Sequence, residues 1–221
     1  MTLPGTPVSG DDLRDVRTAW PAERVSVTEG HVSDFVTDEV RTPDGDTLVR
    51  EFLVHPGAVA VMALDEEGRV AVVTQYRHPA GFRLVEPPAG LLDLEGEDFR
   101  AAAERELAEE AGLAADDWRV LVDVFTSPGC NTESIRVYLA RSLREVSRPD
   151  GFVLHGEEAD MGLHWAALDE LVDGVYAGRI QSPTMVLGAL ALHGAIQAGR
   201  LDELRPADAP WPARDALTEK A

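Results

Sequence analysis

The sequence predicts an α/β protein with a small antiparallel β arm ahead of its main domain. Short β-rich apolar runs bounded by turn residues occur on both sides of a single acidic, amphipathic helix, and two further helical stretches come late in the chain. A length of 221 residues suits one sizeable domain, or a core domain with a smaller arm. The expected division is 1–55 for a lead-in and the β arm, 56–205 for the main domain, and 206–221 for a mobile tail. The tail expectation rests on three prolines (Pro206, Pro210, Pro212) among polar residues.

Residues 1–22, with Pro4, Pro7 and Pro21, read as a loose lead-in carrying a short helix around 11–19. Residues 24–54 alternate in the runs RVSVTEG, VSDFVTDEV and TLVREFLV, broken by Gly30 and by the turn Pro43-Asp44-Gly45. A sheet of that size has one apolar face and little of its own to bury it against, so it must pack on the main domain or on another subunit. The core begins near Gly57. There AVAVMAL and VAVVTQY are joined by Asp65-Glu66-Glu67-Gly68, a hairpin signal, and Arg77 and His78 end the second run. After the acidic helix, WRVLVDVFTSPG and SIRVYLARSL read as strands. A polar loop rich in Gly, Asp and Glu then leads to a short strand at 161–165. LDELVDGVYAG and SPTMVLGALALHGAIQAG read as helices, the second apolar enough to be buried.

The acidic helix is the element around which chemistry gathers. Asp98 can cap its start, Phe99, Ala103, Leu107 and Ala111 form an apolar stripe, and Gly112 can end it. At about 100° per residue, Glu110, Glu106 and Glu109 fan out beside that stripe, with Arg105 next. Glu106 and Glu110 are like charges at i, i+4, an arrangement costing a few tenths of a kcal/mol unless a cation lies between them. Oxygen ligands without His or Cys favour Mg²⁺ or Mn²⁺ over Zn²⁺. Spacing alone leaves a solvated acidic face as an equal alternative.

Composition narrows the partners. A formal charge of −20 argues against a nucleic-acid backbone, which needs clustered Lys and Arg. Lys220 is the sole lysine, so cationic contacts fall to arginine, whose fork suits phosphate. The lone Cys130 excludes an intrachain disulfide and, with no paired base nearby in sequence, reads as a small packing residue. No run approaches the roughly 18 apolar residues of a membrane span, and no basic n-region precedes an apolar one, so a cytoplasmic location is expected. The six histidines show no metal-ligand spacing, and only His78 and His155 are expected near the cleft. The four tryptophans are read as core or interface before base-stacking residues.

The stretch from Gly90 to Leu113 resembles the Nudix box, Gly-x5-Glu-x7-Arg-Glu-U-x-Glu-Glu-x-Gly-U with U aliphatic. Glu97, Arg105, Glu106, Leu107, Glu109, Glu110, Gly112 and Leu113 fall in register; Gly90 stands one residue too far from Glu97. Upstream, Glu86-Pro87-Pro88-Ala89-Gly90 is similar to the E-x-PAG run of ADP-ribose pyrophosphatases, and Pro128, fifteen residues after Leu113, resembles a mark of that subfamily. The resemblance implies an α/β/α sandwich with a mixed sheet and Mg²⁺-dependent hydrolysis of ADP-ribose to AMP and ribose 5-phosphate, with Mn²⁺ as substitute. It implies a metal site of Glu86, the Ala89 carbonyl, Glu106, Glu109 and Glu110, with Gly90, Glu97 and Gly112 structural. Arg105 then braces Glu97, and Arg77, Arg83 and Pro128 contact substrate. The general base is expected on the late loop at Glu158, with Glu157 its alternate, and Glu106 if neither serves. A homodimer through the β arm is implied by analogy. The alternatives are hydrolysis of another nucleoside-diphosphate sugar or of a dinucleotide such as NADH, and a module that binds ADP-ribose without cutting it.

Overall fold

A computed structural model describes residues 10, 13–94, 96–148 and 161–218. The arm is a three-stranded antiparallel sheet of β1 (Ala22–Thr28), β2 (Asp34–Arg41) and β3 (Thr47–Val54), in the order β1-β2-β3. The lead-in helix expected around 11–19 is absent from residues 13–19, which are exposed and irregular. Its few apolar side chains, Leu13 and Val16, stay exposed, so the stretch buries too little to repay helix nucleation.

The main domain follows from alternation along one strand. In β4 (Ala58–Ala63) every residue is buried. Val59, Val61 and Ala63 share a cluster with Ala102, Ala103 and Leu107 of α1 (Phe99–Ala111), whereas Ala58, Ala60 and Met62 share one with α2 (Leu168–Tyr176) and α3 (Pro183–Gln197). A strand buried on both faces, with helices on either side, is the sandwich the sequence predicts. The central sheet is mixed, in the order β11-β8-β9-β4-β7, with β7 (Ala89–Leu91), β8 (Leu113–Phe125), β9 (Ser134–Glu145) and β11 (Arg205–Pro206); β4 runs parallel to β9 and antiparallel to β7. A second sheet has the order β10-β5-β6, from β5 (Arg69–Arg77), β6 (Phe82–Glu86) and β10 (Gly162–Ala167).

Two expectations are corrected. The turn at 65–68 forms, with Asp65 N–H donating to the Arg69 carbonyl, but β4 and β5 part beyond the Leu64–Val70 bridge and enter different sheets. β4 pairs with β9 and β7, and β5 pairs with β10 and β6. Residues 206–218, expected as a mobile tail, pack on the body instead. β11 pairs with β8, Ala209 and Trp211 are buried, and α4 (Pro212–Thr218) follows. The buried Arg136 guanidinium accounts for this: it forks onto Asp123 (2.7 and 3.0 Å), donates to the Ala209 carbonyl (2.8 Å), and lies 4.9 Å from the Trp211 ring centre. Proline there shapes a docked segment; it does not loosen it. Among the described residues no helix is long and apolar enough to cross a membrane.

Candidate active site

The helix α1 begins as its sequence dictates. Asp98 accepts the N–H groups of Arg100 and Ala101, and Gly112 closes the helix with φ +64°, in the left-handed region that favours glycine. β8 starts at once, so the helix is pinned at both ends against the central sheet. Its apolar stripe faces the core at Ala103, Leu107 and Ala111, and Phe99 meets Trp211 edge-on at 5.3 Å. The neighbouring stripe therefore lies at the cleft margin, where Glu106, Glu109 and Glu110 line a cavity of about 620 Å³.

The opposite wall comes from β6 and β7. Glu86, 5 % exposed at the end of β6, takes Nε and Nη2 of Arg77 on one oxygen (3.0 and 2.7 Å) and the Ser182 hydroxyl on the other (3.0 Å). Glu110 accepts the Ala89 N–H at 3.0 Å, tying helix to strand. A Cβ at Gly90 would overlap the Glu106 carboxyl, so glycine lets the strand approach the helix without displacing that side chain. Arg105 forks onto Glu97 with both contacts at 3.0 Å and reaches Glu106 (2.5 Å) and Glu109 (3.1 Å). The Glu97 hydrogen bonds, followed by the charge of Glu106, push its pKa above the ordinary guanidinium value.

Not every expected residue reaches this cleft. Arg83 pairs with Tyr76, out of phase with Glu86 and Leu84 on β6, and is exposed on the other face. Pro128 lines a separate groove between the arm and the 125–132 segment, with Val40, Phe52 and Cys130. His78 sits in the turn after β5 against Tyr76 (3.2 Å). Glu157, Glu158 and His155 lie outside the described residues. In exchange the structure brings in His55, Gln75, Asp93, Glu133, Ser182 and Thr184. None carried a motif. The Ser182–Glu86 contact spans 96 residues, a separation no local pattern reports.

The lining holds six acidic residues (Glu86, Asp93, Glu106, Glu109, Glu110, Glu133) against two arginines (Arg77, Arg105). All the carboxylate donors are hard oxygens, and the local excess of negative charge fits a divalent cation of the Mg²⁺ class. Among the described residues no three His, Cys, Asp or Glu side chains converge on one point. Glu106 and Glu109 turn toward Arg105, and Glu86 toward Arg77 and Ser182.

Known proteins resemble this chain in sequence and in fold. Residues 54–183, more than half of the chain, match the family pattern described as NUDIX domain. The chain is 48% identical over 174 residues to the ADP-ribose pyrophosphatase of Mycobacterium tuberculosis, covering 79% of this chain and 82% of that protein. It is 37% identical over 161 residues to the methanol dehydrogenase activator of Bacillus methanolicus, covering 73% and 85%. A crystal structure of an ADP compounds hydrolase shares the fold, with a TM-score of 0.66 over 84% of this chain and 100% of that one, at 19% identity. A glutamate-lined helix packed on a close-approach glycine, within a matching span of that extent, means that this chain belongs to the Nudix family of hydrolases.

Proposed function

We propose that this Nudix hydrolase cuts the pyrophosphate bond of ADP-ribose, giving AMP and ribose 5-phosphate, with Mg²⁺ as its cofactor and Mn²⁺ as a substitute. The observation that carries the reading is the acidic cleft, where Glu106, Glu109 and Glu110 of one helix face Glu86 and the Ala89–Gly90 strand. The preference for ADP-ribose is supported by relatives of that name, at 48% identity in M. tuberculosis and 40% over 117 residues in Bacillus subtilis.

Glu86, Glu106, Glu109, Glu110 and the Ala89 carbonyl are the groups that would hold the metal. When bound, a hard divalent cation supplies positive charge against the two phosphates and activates water. The chain's own residues do the rest. Arg105 holds Glu97 and keeps Glu106 and Glu109 aimed at one side of the cleft. Arg77 uses Nε and Nη2 on Glu86, which leaves Nη1 for a phosphate oxygen, and its side chain is 41% exposed. Glu110, fixed on the Ala89 N–H, sets the helix against the strand. The base that takes the proton from the attacking water is assigned to Glu158, ahead of Glu157.

The active form is proposed to be a cytoplasmic homodimer. Phe35 and Leu53 are opposite each other on the outer face of the arm, with Val49 on the same face, and all three are large, apolar and exposed. The test of function is phosphate released, after phosphatase coupling, from a panel of ADP-ribose, other nucleoside-diphosphate sugars and NADH. ADP-ribose with Mg²⁺ is expected to give the highest kcat/KM, and a higher value for NADH or for another nucleotide sugar would overturn the assignment.

A further inference from the structure

Ser182 precedes α3 at the place where a serine ordinarily turns its hydroxyl back to cap the first turn of its own helix. Here it does not. The side chain caps no N–H of α3, and the hydroxyl instead donates to Oε1 of Glu86 at 3.0 Å, across 96 residues of chain. Pro183, at the start of the helix, lowers the cost of that diversion because it brings no N–H of its own to be satisfied. Ser182 is fully buried, and its carbonyl accepts the Val186 N–H at 2.9 Å, so the residue is fixed to the helix. The helix in turn is fixed to the body through Met185, Ala189 and Leu192, which are buried with Ala58, Ala60 and Met62 of β4. Thr184 completes the arrangement. Its hydroxyl lies 3.1 Å from the Ser182 oxygen, and since the Ser182 proton is committed to Glu86, Thr184 is the donor of that pair.

The consequence falls on Glu86. A carboxylate oxygen accepts about two hydrogen bonds. Arg77 fills Oε2 with Nε and Nη2 (3.0 and 2.7 Å), and Ser182 takes one direction at Oε1. What Glu86 still offers the cleft it lines is therefore the second direction at Oε1, and the positive end of α3 lies against the same carboxylate. A serine kept for the stability of α3 would direct its hydroxyl to α3. We infer that Ser182 is a positioning residue, holding Glu86 in the rotamer that leaves one Oε1 acceptor direction for a divalent cation of the Mg²⁺ class. The inference rests on the metal-dependent reading above. Outer donors of this kind orient a ligating side chain and so govern how tightly a metal is held.

Titration of the metal-free protein with Mn²⁺, followed by loss of the free-ion EPR signal, reads this without turnover. Ser182→Ala and the near-isosteric Ser182→Cys, whose thiol is a weak donor, are each expected to raise the Mn²⁺ dissociation constant about tenfold. Ser182→Thr keeps the hydroxyl and should hold the constant within about threefold of wild type. In a Glu86→Gln background, Ser182→Ala should add less than about twofold, since Ser182 acts through Glu86. A serine that only supported α3 would add its full effect there. If the extra methyl of Ser182→Thr prevents folding in this closed site, the alanine and cysteine variants and the Glu86→Gln background still decide. Wild-type Mn²⁺ affinity in Ser182→Ala, or effects of Ser182→Ala and Glu86→Gln that multiply, overturns the inference. Failure of the wild type to hydrolyse ADP-ribose would refute the substrate reading alone, because the Mn²⁺ titration involves no substrate. A wild type that binds no Mn²⁺ would overturn the metal reading and this inference with it.

Discussion

Glu106 and Glu110 lie one turn apart on α1, and their roles can be separated from their packing because glutamine replaces the charge with almost no change of volume. Glu106→Gln and Glu110→Gln are each expected to lower Mg²⁺-dependent turnover at least a hundredfold, with far-UV dichroism and urea midpoint close to wild type. Retention of more than about a tenth of the activity, a loss under about 1.4 kcal/mol of transition-state stabilisation, would contradict the cluster. For the base, Glu158→Gln should lower kcat at least about a hundredfold at nearly unchanged substrate affinity, as general-base removal does, and Glu157→Gln should be milder. Near-normal kcat in both would move the base to Glu106. His55 carries a pH signature. Burial holds its pKa below the ordinary imidazole value, against the opposing charge of Glu133. The unfolded chain therefore takes up its proton at higher pH than the native one, so this contribution to stability is complete above about pH 6.5 and falls as pH drops below it. Between pH 7.5 and 5.5 wild type should lose more stability than His55→Asn, by no more than about 1.4 kcal/mol per pH unit. Parallel losses, measured by urea unfolding, would remove His55 from the account.

Among the elements, α1 was the most legible and the arm the most dependent on context. Capping by Asp98, the stripe at Ala103, Leu107 and Ala111 and the stop at Gly112 are local properties, and each is realised. The arm strands were equally readable from alternation and turn residues, but what covers their outer face was not. If a second copy covers Phe35 and Leu53, the double change Phe35→Asp and Leu53→Asp should give a monomer in sedimentation velocity, because two buried charges oppose the interface. Removal of residues 1–55 should leave the remainder insoluble, or monomeric and inactive. A charged double variant that still sediments as a dimer would place the interface elsewhere. Strands β4 and β5 show the opposite limit. Their turn was correctly read, yet their pairing was not, because 58–63 and 70–73 are each unbroken apolar stretches with no alternation to say which sheet each joins.

For the molecule as a whole, the C-terminal segment proves to be a strap. It runs from β11 past Trp211, which is 4% exposed, to Arg214 on the Pro56 carbonyl, and so joins the outer edge of the central sheet to the His55–Gly57 turn. Trp211→Ala should cost about 3–5 kcal/mol, lowering the melting temperature on the order of 10 °C. A shift under about 3 °C by differential scanning calorimetry would show that the segment contributes little. Its docking was hidden in the sequence because Trp211 packs on Phe99 and Arg136, whereas composition shows only prolines and charges. The same distinction divides the rest. Helix, strands, fold class and the fan of Glu106, Glu109 and Glu110 were determined by the sequence itself, since capping, periodicity and helical spacing act within a few residues. Only the tertiary structure decided that Gly90 must yield its Cβ position to Glu106, that Ser182 would reach Glu86, that Arg83 and Pro128 would stand outside the cleft, and that His55 would face Glu133. Those contacts join residues far apart in the chain, and their partners are chosen by how strands and helices stack to bury apolar surface, a choice no single stretch can encode.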